Sequence, residues 1–382
     1  MSSLKRREFL VGAAGMVGAG VPLLAFGQTR PCPVPELRVG DSLVNTACGT
    51  SALETTAAGL APGQSGTALG DSGLTSEALF TIQWVNRFHY DHGNGRAHLL
   101  GKNASSQGRE RSNCVYDAST NRWQFEVFGG DETGHVYESF GYDPSQDTVY
   151  SGRWGSSPQP IQTWRFGSAL SSWGVTRTAP WSFSNTNSTQ PAICWHPNLF
   201  GPGDGGLIAI HYVSGSSVEL VAWRRSTDTW STISGSGSSA SGGSPQLGAI
   251  EYVRSGNYAM ATFATGRSFT IAAGSGGSTA AAAQVQDPPI ACRHAGSGNN
   301  VGILIDDPTG RAGPYILEKG GANRVWRWIN GSWSLRSYTH PLPDGSATAD
   351  TNWAVASMYP LGVFWARSNR NSSPSRLWRP ND

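Results

Sequence analysis

From about residue 88 onward the chain is a succession of short apolar stretches, each alternating apolar and polar positions and each broken by Gly, Asn, Asp or Ser. A period of two over a few residues predicts strands rather than helices. Phe88-His89-Tyr90-Asp91 and Ala97-His98-Leu99-Leu100 flank Gly93-Asn94-Gly95, the Asn-Gly signal of a tight hairpin. Cys114 to Asp117 and Arg122-Trp123-Gln124-Phe125 predict two more strands. A second unit restarts at Phe140-Gly141-Tyr142-Asp143-Pro144.

The third strand of each unit has a recurring look. It is Cys114-Val115-Tyr116, Trp164-Arg165-Phe166, Trp223-Arg224-Arg225, Phe269-Thr270-Ile271, Trp326-Arg327-Trp328 and Trp378-Arg379-Pro380. Units of about 50 residues with four short strands are the signature of a β-propeller. The expected fold is all-β: six blades, each of four antiparallel strands lettered A to D from the axis outward. Further A–B pairs are expected to begin near Ile193-Cys194-Trp195, Ile250-Glu251-Tyr252, Ala291-Cys292-Arg293 and Ser357-Met358-Tyr359. Trp123, Trp173, Trp230 and Trp333 open D strands, whereas the unit around Phe269 runs into a low-complexity stretch from Gly274 to Ala283. Strand alternation sends each Trp and the Arg beside it to opposite faces, as packing between blades requires.

The sixth unit has A, B and C but no D strand before Asp382. An unpaired sheet edge is a liability, so the missing strand is expected from residues 62–70, Pro62 to Gly70, lying beside Trp378. Residues 28–382 then form one domain: an extension over 28–61, the closing strand at 62–70 and the blades over 80–382.

Charge changes the picture of partners. Only 14% of residues are charged and the formal net charge is +2. Beyond residue 27 basic and acidic residues balance, which excludes a nucleic-acid partner or an anionic membrane surface. Lys5-Arg6-Arg7-Glu8-Phe9-Leu10 resembles a twin-arginine (Tat) export motif. The mild apolar stretch after it ends at Ala25-Phe26-Gly27, so residues 1–27 are expected to be a signal peptide. Its removal leaves a periplasmic or secreted protein without a membrane anchor. In that oxidising setting Cys32 and Cys48 are candidates for a disulfide, while Cys114, Cys194 and Cys292 sit in apolar strands as small hydrophobes.

Tyr116-Asp117-Ala118-Ser119-Thr120-Asn121-Arg122-Trp123 resembles the C-to-D turn of a kelch repeat, and Tyr142-Asp143-Pro144 is a weaker echo. The resemblance is to kelch-like propellers, including the central domain of galactose-oxidase-like enzymes, and implies a propeller over residues 80–380. Such oxidases use Tyr, His and a Tyr–Cys crosslink, but no local motif places these residues here. Ser226-Thr227-Asp228-Thr229-Trp230 lacks the spacing and Gly of a sialidase Asp box. No nucleophile elbow, phosphate loop or HExxH is present, and no metal or cofactor is assigned.

Candidate chemistry falls in two places. Inner strands surround the channel, and His89, Tyr90, His196, Arg293 and His294 lie on or just beyond them. Converging imidazoles could hold a metal or act as a base. In that case an Arg would neutralise a uronate carboxylate, a His would take the C5 proton and Tyr90 would protonate the leaving oxygen. The second place is the face shared by D–A and B–C loops, which offers Lys102, Arg109, Arg111 and Trp181. Aromatic platforms beside guanidinium forks suit a sugar ring bearing a carboxylate or sulfate. The leading expectation is an exported module that binds an oligo- or polysaccharide or another exported protein. The alternative is a polysaccharide lyase or hydrolase acting on anionic glycans.

Overall fold

A computed structural model describes residues 51–68, 85–102, 111–128, 140–152, 160–168, 174–178, 192–214, 217–238, 248–263, 266–277, 281–292, 301–342, 353–368 and 375–382. Residues 1–50, with the twin-arginine motif and Cys32 and Cys48, lie outside them.

The described chain forms six four-stranded antiparallel sheets. In chain order one helix, α1 (Ala52–Gly59), and one strand, β1 (Ser65–Thr67), precede the first blade. Blade 1 holds β2 (His89–Asp91), β3 (Arg96–Lys102), β4 (Arg111–Asp117) and β5 (Arg122–Phe128). Blade 2 holds β6 (Phe140–Asp143), β7 (Thr148–Gly152), β8 (Pro160–Arg165) and β9 (Gly174–Thr178). Blade 3 is the tallest: β10 (Ile193–Gly201), β11 (Asp204–Ser214), β12 (Ser217–Arg224) and β13 (Thr229–Ser238). Blade 4 has β14 (Gly248–Val253), β15 (Tyr258–Phe263), β16 (Ser268–Ala272) and β17 (Ala282–Val285). Blade 5 has β18 (Val301–Ile305), β19 (Tyr315–Lys319), β20 (Arg324–Ile329) and β21 (Ser332–Thr339). Blade 6 has β22 (Trp353–Met358), β23 (Val363–Ser368) and β24 (Arg376–Trp378).

The fourth strand of blade 6 is β1, as the unpaired edge of β24 demanded. Ser65 stands opposite Trp378, Gly66 opposite Leu377 and Thr67 opposite Arg376. Backbone bonds extend the pairing on both sides, from Gly63 N–H to Arg379 O and from Ala68 N–H to Ser375 O. A parallel bridge between Arg87 and Val355 then ties the inner edges of blades 1 and 6 together.

Two strand positions differ from the sequence expectation. The inner strand of blade 5 is β18, not Ala291-Cys292-Arg293. Val301–Ile305 is buried throughout, whereas Cys292 makes only an isolated bridge to Gly302. In blade 6 the inner strand begins at Trp353 and ends at Met358, so Ser357-Met358-Tyr359 marks its exit into the turn at Tyr359-Pro360. The longer apolar run wins in both cases because an inner strand is packed on both sides by neighbouring blades. Blade 4 completes itself at the end of the low-complexity stretch, with β17 pairing Phe269 to Gln284 and no Trp in the D strand. Trp173 lies outside the described residues.

The extension is not featureless. Ser51 and Glu54 form a reciprocal capping box that starts α1. Leu53 and Ala57 join the apolar core shared by blades 6, 1 and 2. Glu54 is fully buried and accepts from the Tyr90 hydroxyl, with His92 Nδ1 3.1 Å away. Arg379 closes the other end of the helix, donating to the carbonyls of Ala57 at 3.2 Å and Leu361 at 3.0 Å. The helix thereby covers the seam that β1 closes. Cys114, Cys194 and Cys292 are buried.

Candidate functional site

The hub of the ring carries charge. Arg87, on the approach to β2, pairs with Glu251 of β14. Blades 1 and 4 are three apart in a ring of six, so this ion pair spans the channel. Arg254, just past β14, pairs with Asp306, just past β18, at 2.5 Å. Asp306 N–H donates to Glu251 at 3.3 Å, joining the two pairs into one network. Burial pushes both carboxyls above their ordinary range, while Arg87 and Arg254 pull Glu251 back and Arg254 pulls Asp306 back.

This network crosses the channel and leaves little room beside it. Among the described residues, Arg87, His89, Glu251, Arg254 and Ser357 line a cavity of about 20 Å³. That is room for a water or two and far too little for a sugar ring. Ser357 Oγ is buried without a protein partner, the kind of group such a water satisfies.

The histidines are spread among different neighbours. His89 Nε2 donates to the Phe140 carbonyl at 3.2 Å, and its ring meets the Phe140 ring edge-on at 4.8 Å. Burial, with Arg87 beside it, lowers its pKa to about 3. His196 accepts from Asn198 N–H at 3.1 Å and packs on Tyr252 at 4.8 Å. Burial lowers its pKa to about 4. Tyr90 turns its hydroxyl to Glu54 of α1 rather than to His89. No group of three His, Cys, Asp or Glu that could hold a metal occurs among the described residues. Arg293, His294, Arg109 and Trp181 lie outside those residues. Lys102 and Arg111 face each other across the β3–β4 ladder in backbone register.

The hub residues Arg87, Glu251, Arg254 and Asp306 escaped sequence reasoning. Their signal was there: a charged residue within or immediately beside an apolar inner-strand run, as in Ala249-Ile250-Glu251-Tyr252 and Ile303-Leu304-Ile305-Asp306.

The two rims are unequal. Most A–B turns are short, spanning residues 92–95, 144–147, 202–203, 254–257 and 359–362, with 306–314 the longest. The D–A connections span 68–88, 129–139, 179–192, 239–247, 286–300 and 340–352. Most of the long chain therefore leaves from that rim, from which the B–C connections at 103–110, 153–159 and 369–375 also start, while the C–D connections at 166–173 and 273–281 start from the other.

Ring, charge-crossed hub and unequal rims define a six-bladed β-propeller, a scaffold for binding. No described protein family matches the chain, and no curated protein does. Several solved structures are similar in fold. PorZ, an essential bacterial surface component of the type-IX secretion system of Porphyromonas gingivalis, is 12% identical with a TM-score of 0.43, over 77% of this chain. The match covers 46% of PorZ, so the chain spans about half its length. A protein from Lactobacillus plantarum is 11% identical (TM-score 0.44), over 75% of this chain and 78% of that one. The WD40 domain of Toxoplasma gondii coronin is 8% identical (TM-score 0.44), over 84% and 87% respectively.

Proposed function

We propose that this protein is an exported recognition module that binds an anionic glycan on the rim of long D–A and B–C connections. The observation that carries the reading is the inequality of the rims. Binding residues concentrate on long loops held by a rigid scaffold, and here the strand ends from which most of the long connections leave lie on one face. The charge-crossed hub supports it, because a ligand kept out of the channel must lie across the rim. Lys102 and Arg111, at the strand ends that flank one B–C connection, with Arg109 within it and Trp181 of one D–A connection, supply cations and a stacking surface suited to a uronate or sulfated sugar. The Lys5-Arg6-Arg7 motif supports export, with the ligand met in the periplasm or outside the cell.

The histidines give this reading its non-catalytic form. An imidazole with a pKa near 3 is a poor base at neutral pH. The test is titration calorimetry against polygalacturonate, alginate and heparin, with the same mixtures assayed for new unsaturated or reducing ends. Binding without new ends is expected, weakened about tenfold or more by Trp181→Ala or by Arg109→Ala with Arg111→Ala. New chain ends would make the protein a lyase or hydrolase. Absence of binding across all three polymers would overturn the glycan reading.

A further inference from the structure

A second charged site lies away from the hub, on the flank of blade 5. Four side chains from three of its strands converge on one carboxylate, that of Asp382. Tyr315 of β19 and Arg327 of β20 donate to Oδ2, at 2.7 and 2.5 Å. Tyr338 and Arg336 of β21 reach Oδ1, both at 2.7 Å. The Asp382 side chain is only 6% exposed. It belongs to the segment after β24 and so reaches from blade 6 onto blade 5.

The donors are held by blade 5 and its neighbours rather than by Asp382. Arg327 lies over the Tyr315 ring at 4.9 Å and also bonds Asp307 at 3.0 Å. Arg336 lies over Tyr338 at 5.9 Å. Tyr315 packs edge-on against Phe364, and Tyr338 against Trp378. Asp307 balances one guanidinium, which leaves the other charge facing Asp382. Arg327 Nε and Arg336 Nε are buried without hydrogen-bond partners. With Asp382 withdrawn, two phenolic hydroxyls and an uncompensated cation would point into one space, a ready receptor for a carboxylate.

We propose that blade 5 carries a carboxylate-binding seat which the chain fills with its own Asp382, making that side chain a releasable latch on the closed ring. The latch secures the strand pair that closes the ring, because Asp382 lies four residues beyond Trp378, which pairs with Ser65 of β1. The sign of its pH response follows from its surroundings. Burial alone would raise the Asp382 pKa, but the Tyr315 and Tyr338 hydroxyls with Arg327 and Arg336 outweigh burial and lower it. The latch therefore contributes fully above the unfolded carboxyl range of about 4 and is lost as pH falls through the lowered value.

Chemical rescue tests the seat. In the full chain, Asp382→Ala is expected to lower the melting temperature by about 2–8 °C. Sodium acetate should then restore it saturably, beyond sodium chloride at equal ionic strength. The wild type, its seat filled, should show no acetate-specific gain, and adding Arg336→Ala to Asp382→Ala should abolish the rescue. If the alanine variant does not fold in chloride, recovery of its cooperative melting transition in acetate but not in chloride carries the same comparison. An unchanged melting temperature in Asp382→Ala, or acetate acting no differently from chloride, would overturn the proposal.

Discussion

Four hairpins of this protein are locked by the same bond, from an aromatic side chain to an Asn or Asp five residues on. Tyr116 donates to Asn121 at 2.7 Å, Tyr142 to Asp147 at 2.8 Å, Trp223 Nε1 to Asp228 at 3.0 Å and Tyr252 to Asn257 at 2.9 Å. Each acceptor has a positive φ, between 49° and 57°, the left-handed conformation that Asn and Asp tolerate best among residues with a side chain. The copy at Tyr116, and more weakly the one at Tyr142, stood out in the sequence as turns resembling a kelch repeat. The copies at Trp223 and Tyr252 were hidden because both ends vary, Tyr with Trp and Asn with Asp, so no fixed string repeats. The histidines teach a related lesson. Their types suggested chemistry, but burial lowers His89 to about 3 and His196 and His340 to about 4. Each is charged in the unfolded chain below about 6.5 yet neutral in the folded one. Each therefore contributes stability above that pH which is lost as pH falls toward its folded value. In an NMR titration from pH 8 to 5 these three rings should show no protonation step; a midpoint near 6.5 for His89 would contradict its burial.

At the scale of elements, seams between blades are bolted by ion pairs. Arg96 meets Asp147 between blades 1 and 2, Arg225 meets Asp143 between blades 2 and 3, and Arg254 meets Asp306 between blades 4 and 5. Arg225 also lies over Trp195 at 5.1 Å. On the C strands the Trp of the motif is buried at Trp164, Trp223, Trp326 and Trp378, while the Arg beside it varies: Arg165 is exposed, Arg224 pairs with Asp204 of its own blade and Arg327 with Asp307. Gly141 shows how tight a seam can be: a Cβ there would sit 2.9 Å from the Trp195 backbone nitrogen. The seam between blades 6 and 1 is different, being closed by β1 and covered by α1. The need for β1 could be read from the missing strand, because counting strands exposes an open edge. The helix could not be read so easily, since α1 is eight residues long and buries only Leu53, Glu54 and Ala57. Its one clear signal was the Ser51-to-Glu54 capping box. Removing residues 28–72 takes away both elements and should abolish cooperative unfolding, followed by circular dichroism and sedimentation. A monomeric truncation with a sharp melting transition would contradict the role given to β1.

For the whole molecule, the decisive feature is a hub closed by charge. Periodicity revealed the ring, but the partner of Arg87 could not be inferred, because Glu251 lies more than 160 positions away and meets it only once the ring forms. Removing one member strands a buried charge. Arg87→Ala or Glu251→Ala should each cost about 3–5 kcal/mol, whereas Arg87→Met with Glu251→Leu should cost much less. Denaturant unfolding of the three variants checks this, and additive costs would contradict a cross-channel pair. With the hub crossed by charge, the recognition surface we propose is the rim of long connections, whose residue types were legible in the sequence. Hydrogen–deuterium exchange with and without a bound acidic polysaccharide tests that assignment most directly. Protection is predicted over residues 102–112 and 179–190, with the A–B turns at 92–95 and 144–147 unchanged. Protection at those turns, or within β2 and β14 at the hub, would contradict it.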